Sequence, residues 1–148
     1  MGIADQILED IKRAMRDRDS TRVAALRYIR SEIQKAEKSI QEPLTDAAIV
    51  ENLASQARRR RESISEFRKA LRSDLVASEA SELEIILSYM PKQLSREELL
   101  DVARKIIASL DATTTSDIGP VMRQLMEQIR GRADGALCSE VVRELLNP

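Results

Sequence analysis

The chain has 148 residues, of which 43% are hydrophobic, 33% charged and 2% aromatic, and its formal net charge is −1. This composition predicts helices around an aliphatic core, and the near-zero charge excludes a general attraction to nucleic acid or membranes. Histidine is absent and Cys138 is the single cysteine, which excludes a disulfide within the chain and removes the commonest general base and metal ligand. We therefore expect no metal site and no cofactor.

Apolar residues recur at helical spacing through the first 90 residues and predict four helices. Asp19 or Ser20 is expected to cap the second helix and Thr45 the third, while Pro91 ends the fourth. The third helix is expected to bury a single stripe made of Ile49, Leu53, Ala57, Ile64, Phe67 and Leu71. The pattern predicts an N-terminal four-helix domain, residues 1–91.

A short linker then leads to Ser95 and Glu98, whose spacing is that of a capping box at the start of a fifth helix. That helix is expected to point Leu99, Ala103, Ile106, Ile107 and Leu110 inward. Two more amphipathic segments follow, each with apolar residues at helical spacing. The predicted fold class is all-α, with a three-helix domain, residues 95–148, after the N-terminal domain.

A six-residue corner, residues 130–135, joins the last two predicted helices. Gly131 suits the left-handed position that ends a helix, and the carboxylate of Asp134 is expected to cap the next one. Ala133 is expected to let the two backbones approach closely, with Gly135 completing the hinge. Two interpretations of Arg130 and Arg132 are then open. They form an anion-binding site at a helix N-terminus, or they are charged side chains exposed to solvent.

The highest density of charge lies in the third predicted helix. Between positions 58 and 72 this segment contains seven basic residues and only two glutamates. Arg58, Arg61, Arg68 and Arg72 fall roughly on one helical face. Such a stripe suits phosphate binding. The alternative is a solvated face that is paired internally with acids of the next helix, namely Asp74, Glu79, Glu82 and Glu84.

Catalysis by the chain alone is not favoured by the sequence. No phosphate-binding loop, dinucleotide fingerprint or metal-ligand cluster is present. The hydroxyl-rich run at residues 113–117 is explained by helix capping. A helix-turn-helix DNA reader is also disfavoured, because the outer face of the last helix carries Glu140 and Glu144, which repel phosphates. No segment is apolar enough for a signal peptide or a membrane span, so we expect a cytoplasmic protein that does not enter membranes.

Several segments together resemble one known family. They are Arg60-Arg61-Glu62-Ser63-Ile64 with Phe67, Asp74-Leu75, Tyr89-Met90-Pro91-Lys92-Gln93-Leu94-Ser95, Gly119 with Val121-Met122, and Gly131-Arg132-Ala133-Asp134-Gly135 with Leu137, Val142 and Leu146. These segments resemble the YqeY-like proteins, whose C-terminal part is similar to the tail domain of the GatB subunit of the glutamine-dependent tRNA amidotransferase. The resemblance implies a four-helix domain joined to a three-helix tail domain.

The resemblance also implies a function linked to tRNA. The family is grouped with carbon–nitrogen ligases that use glutamine as amido-N-donor, but this chain has neither the glutaminase nor the kinase-like part of that machine. The leading hypothesis is an accessory protein that binds tRNA or other RNA, with amidotransferase subunits as partners. Its candidate RNA-binding residues are Arg58, Arg61, Arg68, Arg72, Lys92, Arg130 and Arg132. The alternative is a protein-interaction adaptor with no nucleic-acid ligand.

Overall fold

The computed structural model describes residues 1–147, which contain seven α-helices. They are α1 Ile3–Arg16, α2 Ser20–Ile40, α3 Asp46–Lys69, α4 Ser73–Ser88, α5 Arg96–Ser109, α6 Ile118–Ile129 and α7 Gly135–Leu146. A 3-10 helix, Thr115–Asp117, comes directly before α6. None of the residues from 1 to 147 lies in a β-strand, which confirms the all-α prediction.

Local capping sets the start of several helices. The side chain of Asp19 accepts a hydrogen bond from the amide of Arg22, and the hydroxyl of Thr45 accepts one from the amide of Ala48. Ser95 and Glu98 form the full capping box, each side chain binding the other's amide. These bonds satisfy amides that have no partner within the helix. The predicted helix starts are confirmed at these three places.

The packing divides the chain into two compact units, Met1–Met90 and a second unit that begins at Pro91. The first unit contains α1 to α4 around an aliphatic core. Its fully buried members include Ile7, Leu26, Ile29, Ile49, Leu53 and Ile86. Burial of each such side chain stabilises the fold by roughly 1.5–3 kcal/mol. That the two units are independent domains of residues 1–91 and 95–148 stays a prediction, and Pro148 lies outside the described residues.

The second unit packs α5, α6 and α7 around its own core. Leu99, Val121, Leu125, Cys138, Val141 and Val142 are all fully buried there. Burial, and secondarily the nearby charge of Asp134, raises the pKa of the Cys138 thiol to about 11. Cys138 is therefore an apolar core residue, as its place on the inner face of the last helix predicts.

Two leucines that were expected to be buried are exposed. Leu71 is 89% exposed, because α3 ends at Lys69 and the backbone at Leu71 turns with a φ of 56°. Leu110 is 42% exposed, since it follows the last residue of α5 at Ser109. Both predictions were wrong for the same reason: the helical spacing was continued past the point where the helix stops.

Candidate functional site

An unpaired arginine face lies on α3. Within residues 1–147, Arg58, Arg61 and Arg68 form no ion pair and no side-chain hydrogen bond. Arg58 and Arg68 are exposed and Arg61 is partly exposed. Their spacing places all three on one side of the helix. We call these three residues the arginine face.

The neighbouring cations of the same segment form ion pairs with carboxylates. Such internal pairing was the alternative to a phosphate-binding stripe. Arg60 contacts both Glu79, at 3.0 Å, and Glu82, at 2.6 Å, on α4. Arg59 lies 3.6 Å from Glu32 of α2, and Lys69 lies 3.2 Å from Glu66. The internal pairing that the sequence suggested is therefore real, but it involves Arg60 rather than the arginine face.

Arg72 does not belong to the arginine face. Because α3 ends at Lys69, Arg72 takes the N-cap position of α4 instead of continuing the helical stripe. Its guanidinium binds Asp74 through two hydrogen bonds of 3.1 and 3.0 Å. This bond also lowers the pKa of the Asp74 carboxyl group. Of the four predicted stripe arginines, the structure brings three together.

The carboxyl group of Glu32, on α2, interacts with cations at the side of α3. Burial acts to raise the pKa of its carboxyl group, but the hydrogen bond and charge of Lys35 act against it. The hydroxyl of Tyr28 and the charge of Arg59 also lower it, so the pKa of Glu32 lies below its ordinary value. The cations Lys35 and Arg59 therefore have a carboxylate partner in Glu32. The three arginines of the arginine face have no such partner within residues 1–147.

The corner at residues 130–135 has a different chemistry. Gly131 has a φ of 77°, which confirms the predicted left-handed helix end. Asp134 occupies the N-cap position of α7, but its carboxylate forms no capping bond, so that part of the prediction was wrong. The carbonyl of Asp134 accepts the first helical hydrogen bond of α7, from the amide of Cys138. A methyl group at Gly135 would meet nothing within 4 Å, so close approach does not require glycine there.

The corner holds the segment that leads into α5. The side chain of Arg132 donates to the carbonyl of Lys92 at 3.2 Å, and the amide of Leu94 donates to the carbonyl of Arg132 at 2.8 Å. Gln93 donates to the carbonyl of Gly131 at 2.8 Å. The structure thus brings Lys92 and Arg132 together, and it occupies the Nε of Arg132 with a structural hydrogen bond. Arg130 is exposed.

Gln56 is a buried residue that the sequence interpretation missed. It is 2% exposed on α3, and its Nε2 donates to Asn52 Oδ1 at 2.8 Å and to the carbonyl of Ile29 at 3.4 Å. Its carbonyl oxygen, Oε1, is buried without a hydrogen-bond partner. The spacing of seven residues from Ile49 places Gln56 on the buried side of α3, and this signal was available in the sequence.

Between residues 1 and 147 no group of three or more cysteine, aspartate or glutamate residues has the arrangement to hold a metal ion. No helix in this range is long and apolar enough to cross a membrane.

The fold and the site define an all-helical protein of two compact units with an unpaired arginine face on its longest helix. Residues 4–146 match the family described as Yqey-like protein. The chain therefore belongs to the Yqey-like protein family, as the motifs in its sequence predicted.

Three similar proteins are fungal. "Altered inheritance of mitochondria protein 41, mitochondrial" of Pyrenophora tritici-repentis is 29% identical, over 97% of this chain and 81% of that protein. The protein of the same name in Saccharomyces cerevisiae is 34% identical, over 72% of this chain and 57% of that protein. An uncharacterised protein of Schizosaccharomyces pombe is 31% identical, over 63% of this chain and 72% of its own length.

These names contradict the expected cytoplasmic location, because two of the relatives are named as mitochondrial proteins. The expectation rested on the lack of an apolar signal segment. Mitochondrial transit peptides are amphipathic and rich in arginine rather than apolar. The lack of an apolar segment therefore had no bearing on a mitochondrial location.

Proposed function

We propose that this protein is an accessory RNA-binding protein whose arginine face contacts phosphates. The observation that carries the proposal is the contrast within one helix. Arg59, Arg60 and Lys69 have carboxylate partners, whereas Arg58, Arg61 and Arg68 have none. An arginine without an internal partner keeps its five N–H donors for a ligand, and its planar fork fits phosphate oxygens.

The proposed RNA is tRNA. This part rests on the resemblance of the C-terminal part to the tail domain of GatB, a subunit of the glutamine-dependent tRNA amidotransferase. We propose amidotransferase subunits as partners on the same basis, and the ligase activity would be theirs. Lys92, Arg130 and Arg132 are proposed as secondary RNA contacts. The Nε of Arg132 already binds the carbonyl of Lys92, which leaves its two terminal nitrogens for such a contact.

The test is equilibrium binding of tRNA to two matched triple variants. Arg58→Ala/Arg61→Ala/Arg68→Ala removes the arginine face, and Lys35→Ala/Lys69→Ala/Arg72→Ala removes three cations that already have carboxylate partners. Both variants lose three positive charges. At 0.1–0.2 M salt the first should bind roughly 10- to 100-fold more weakly than the native chain. The second should lose clearly less.

A protein-interaction adaptor is the competing outcome. In that case the native chain would show no measurable affinity for tRNA, and partners captured from mitochondrial extract would stay bound after ribonuclease treatment. Partners that are released by ribonuclease, and that are lost with the arginine-face variant, would support the RNA-binding proposal.

A further inference from the structure

An open groove lies beside the turn that joins α1 to α2, and its volume is about 460 Å³. Met15 lines it from α1, and Arg18 lines it from the turn itself. Val23, Ala24 and Arg27 contribute from a shared face of α2. We call this site the α1–α2 groove. It contains no residue of the arginine face, so it is independent of the proposed function.

The floor of the α1–α2 groove is apolar. Met15 is 53% exposed, Ala24 is exposed, and Val23 is only partly buried. Contact between these apolar atoms and water is unfavourable, so an apolar group that covers them is bound favourably. The methionine side chain is flexible and polarisable, which suits it to packing against a partner. Nη2 of Arg27 lies 3.8 Å from Sδ of Met15, so the apolar floor borders directly on a cation.

The rim of the α1–α2 groove is positively charged. Within residues 1–147, neither Arg18 nor Arg27 forms an ion pair. Asp19 is the one acid among the described lining residues, and its carboxylate accepts a hydrogen bond of 3.1 Å from the amide of Arg22. Asp17, which precedes Arg18, pairs with neither arginine. The two guanidinium groups are therefore available for carboxylates of a ligand, which they bind through charge-assisted hydrogen bonds.

Arg18 occupies a backbone position that favours glycine. Its φ is 56°, in the left-handed region, where glycine is unstrained and other residues are not. Its amide donates to the carbonyl of Met15 at 3.1 Å, and the amide of Asp19 donates to the carbonyl of Ala14 at 3.0 Å. These two bonds form a Schellman motif, which closes α1 and fixes the turn. The turn alone therefore does not account for an arginine here, and it holds the rim in a preorganised geometry.

Other kinds of occupant fit the α1–α2 groove less well. A bilayer surface is flat, so it would reach the exposed arginines but not the floor between the two helices. RNA would offer phosphates to the arginines, but none of the described lining residues is aromatic, and its bases would have no ring to stack on. A protein segment can present apolar side chains and carboxylates side by side.

We infer that the α1–α2 groove docks an acidic amphipathic segment of a partner protein. Apolar side chains of this segment pack on Met15, Val23 and Ala24, and neighbouring carboxylates bind Arg18 and Arg27. The volume of about 460 Å³ lies within the roughly 300–1,000 Å³ of pockets that hold drug-sized ligands, which gives room for such side chains.

The test begins with a phage-displayed library of random dodecapeptides that is selected on the immobilised full chain. Enriched peptides should combine leucine, isoleucine, methionine or phenylalanine with aspartate or glutamate. The affinity of one enriched peptide, made with a fluorescent label, is then measured by fluorescence polarisation. A matched peptide with asparagine and glutamine in place of its acids should bind roughly tenfold more weakly, because it forms no charge-assisted bonds with the rim.

Arg18→Gly separates binding from folding. It should weaken peptide binding roughly three- to tenfold, yet it should unfold at an equal or higher urea concentration, because glycine suits the left-handed position. Met15→Ser should weaken binding by roughly the same factor, because it removes apolar contact from the floor. Lys38→Gln is the matched control, since it removes one charge on α2 about 16 Å along the helix from Arg27 and should leave the affinity unchanged.

Selection that enriches no peptide, or only peptides without an excess of acids, would overturn the inference. So would a peptide that binds the native chain, Arg18→Gly and Met15→Ser equally well, because its site must then lie elsewhere. If Arg18→Gly/Arg27→Gln loses as much tRNA affinity as the arginine-face triple variant, the groove binds RNA phosphates instead. The arginine-face variant should bind the peptide as the native chain does, so failure of the RNA-binding proposal leaves this result unaffected.

Discussion

The arginine face of α3 and the corner at residues 130–135 contain the same residue type in two different situations. In the corner, Arg132 uses its Nε to hold the carbonyl of Lys92, so the side chain serves the packing of its own unit. On α3, Arg58 and its two companions have no internal partner within the described part of the chain. The comparison teaches that arginine density alone does not locate a ligand site. The positions of the surrounding acceptors decide which arginines are available.

Alanine substitutions of two adjacent arginines on α3 should differ most in their effect on stability. Arg60→Ala should lower the free energy of unfolding by about 2 kcal/mol, because it leaves Glu79 and Glu82 facing each other without a cation. Arg61→Ala, one residue further, should change it by less than about 0.5 kcal/mol. Urea unfolding followed by circular dichroism measures both. Equal losses in the two variants would show that Arg61 has a structural partner after all.

Substitutions at the corner should change the free energy of unfolding by a smaller amount. Arg132→Ala should lower the free energy of unfolding by about 1 kcal/mol, since it removes the hydrogen bond to the carbonyl of Lys92. Lys92→Ala keeps that carbonyl and should cost less than about 0.5 kcal/mol. Thermal unfolding of the two variants checks this difference. A neutral Arg132→Ala would mean that the linker is held by the backbone bond of Leu94 and the Gln93 side chain alone.

The smallest expected effect is a pH dependence that comes from Glu32. Its pKa is lowered in the folded state, so the unfolded chain binds a proton there more readily than the folded chain. The stabilisation is therefore present above the unfolded pKa, near 4.3, and is lost as the pH falls through the lower folded value. Glu32→Gln should flatten the fall in stability between about pH 5 and 3. Unfolding curves at several pH values test this, with the exposed Glu62→Gln as a comparison.

The sequence was sufficient for features that depend on neighbours in the chain. Thr45 and Ser95 cap helices because the amides they bind are three residues away. Gly131 follows the C-cap residue of α6 with a positive φ, which glycine adopts without strain. The family could also be identified from the sequence, because its motifs are short runs of neighbouring residues. These interactions are fixed by local spacing, which a sequence displays directly.

Features that depend on a distant element were not predictable in the same way. Arg60 is paired and Arg61 is not, although the two are adjacent, because only Arg60 faces the acids of α4. The carboxylate of Asp134 had a suitable position for capping and does not cap. Gln56 lies at a buried spacing, but its missing partner emerges only when the side chains around it are placed.

The most direct test of the central claim is the salt dependence of tRNA binding by the native chain and the two triple variants. Each phosphate contact contributes about 0.7–0.9 to the slope of log affinity against log salt concentration. We expect Arg58→Ala/Arg61→Ala/Arg68→Ala to reduce the magnitude of this slope by about 2 to 3. The Lys35→Ala/Lys69→Ala/Arg72→Ala variant should keep a slope close to that of the native chain. Three equal slopes would contradict the assignment of the arginine face as the RNA-binding surface.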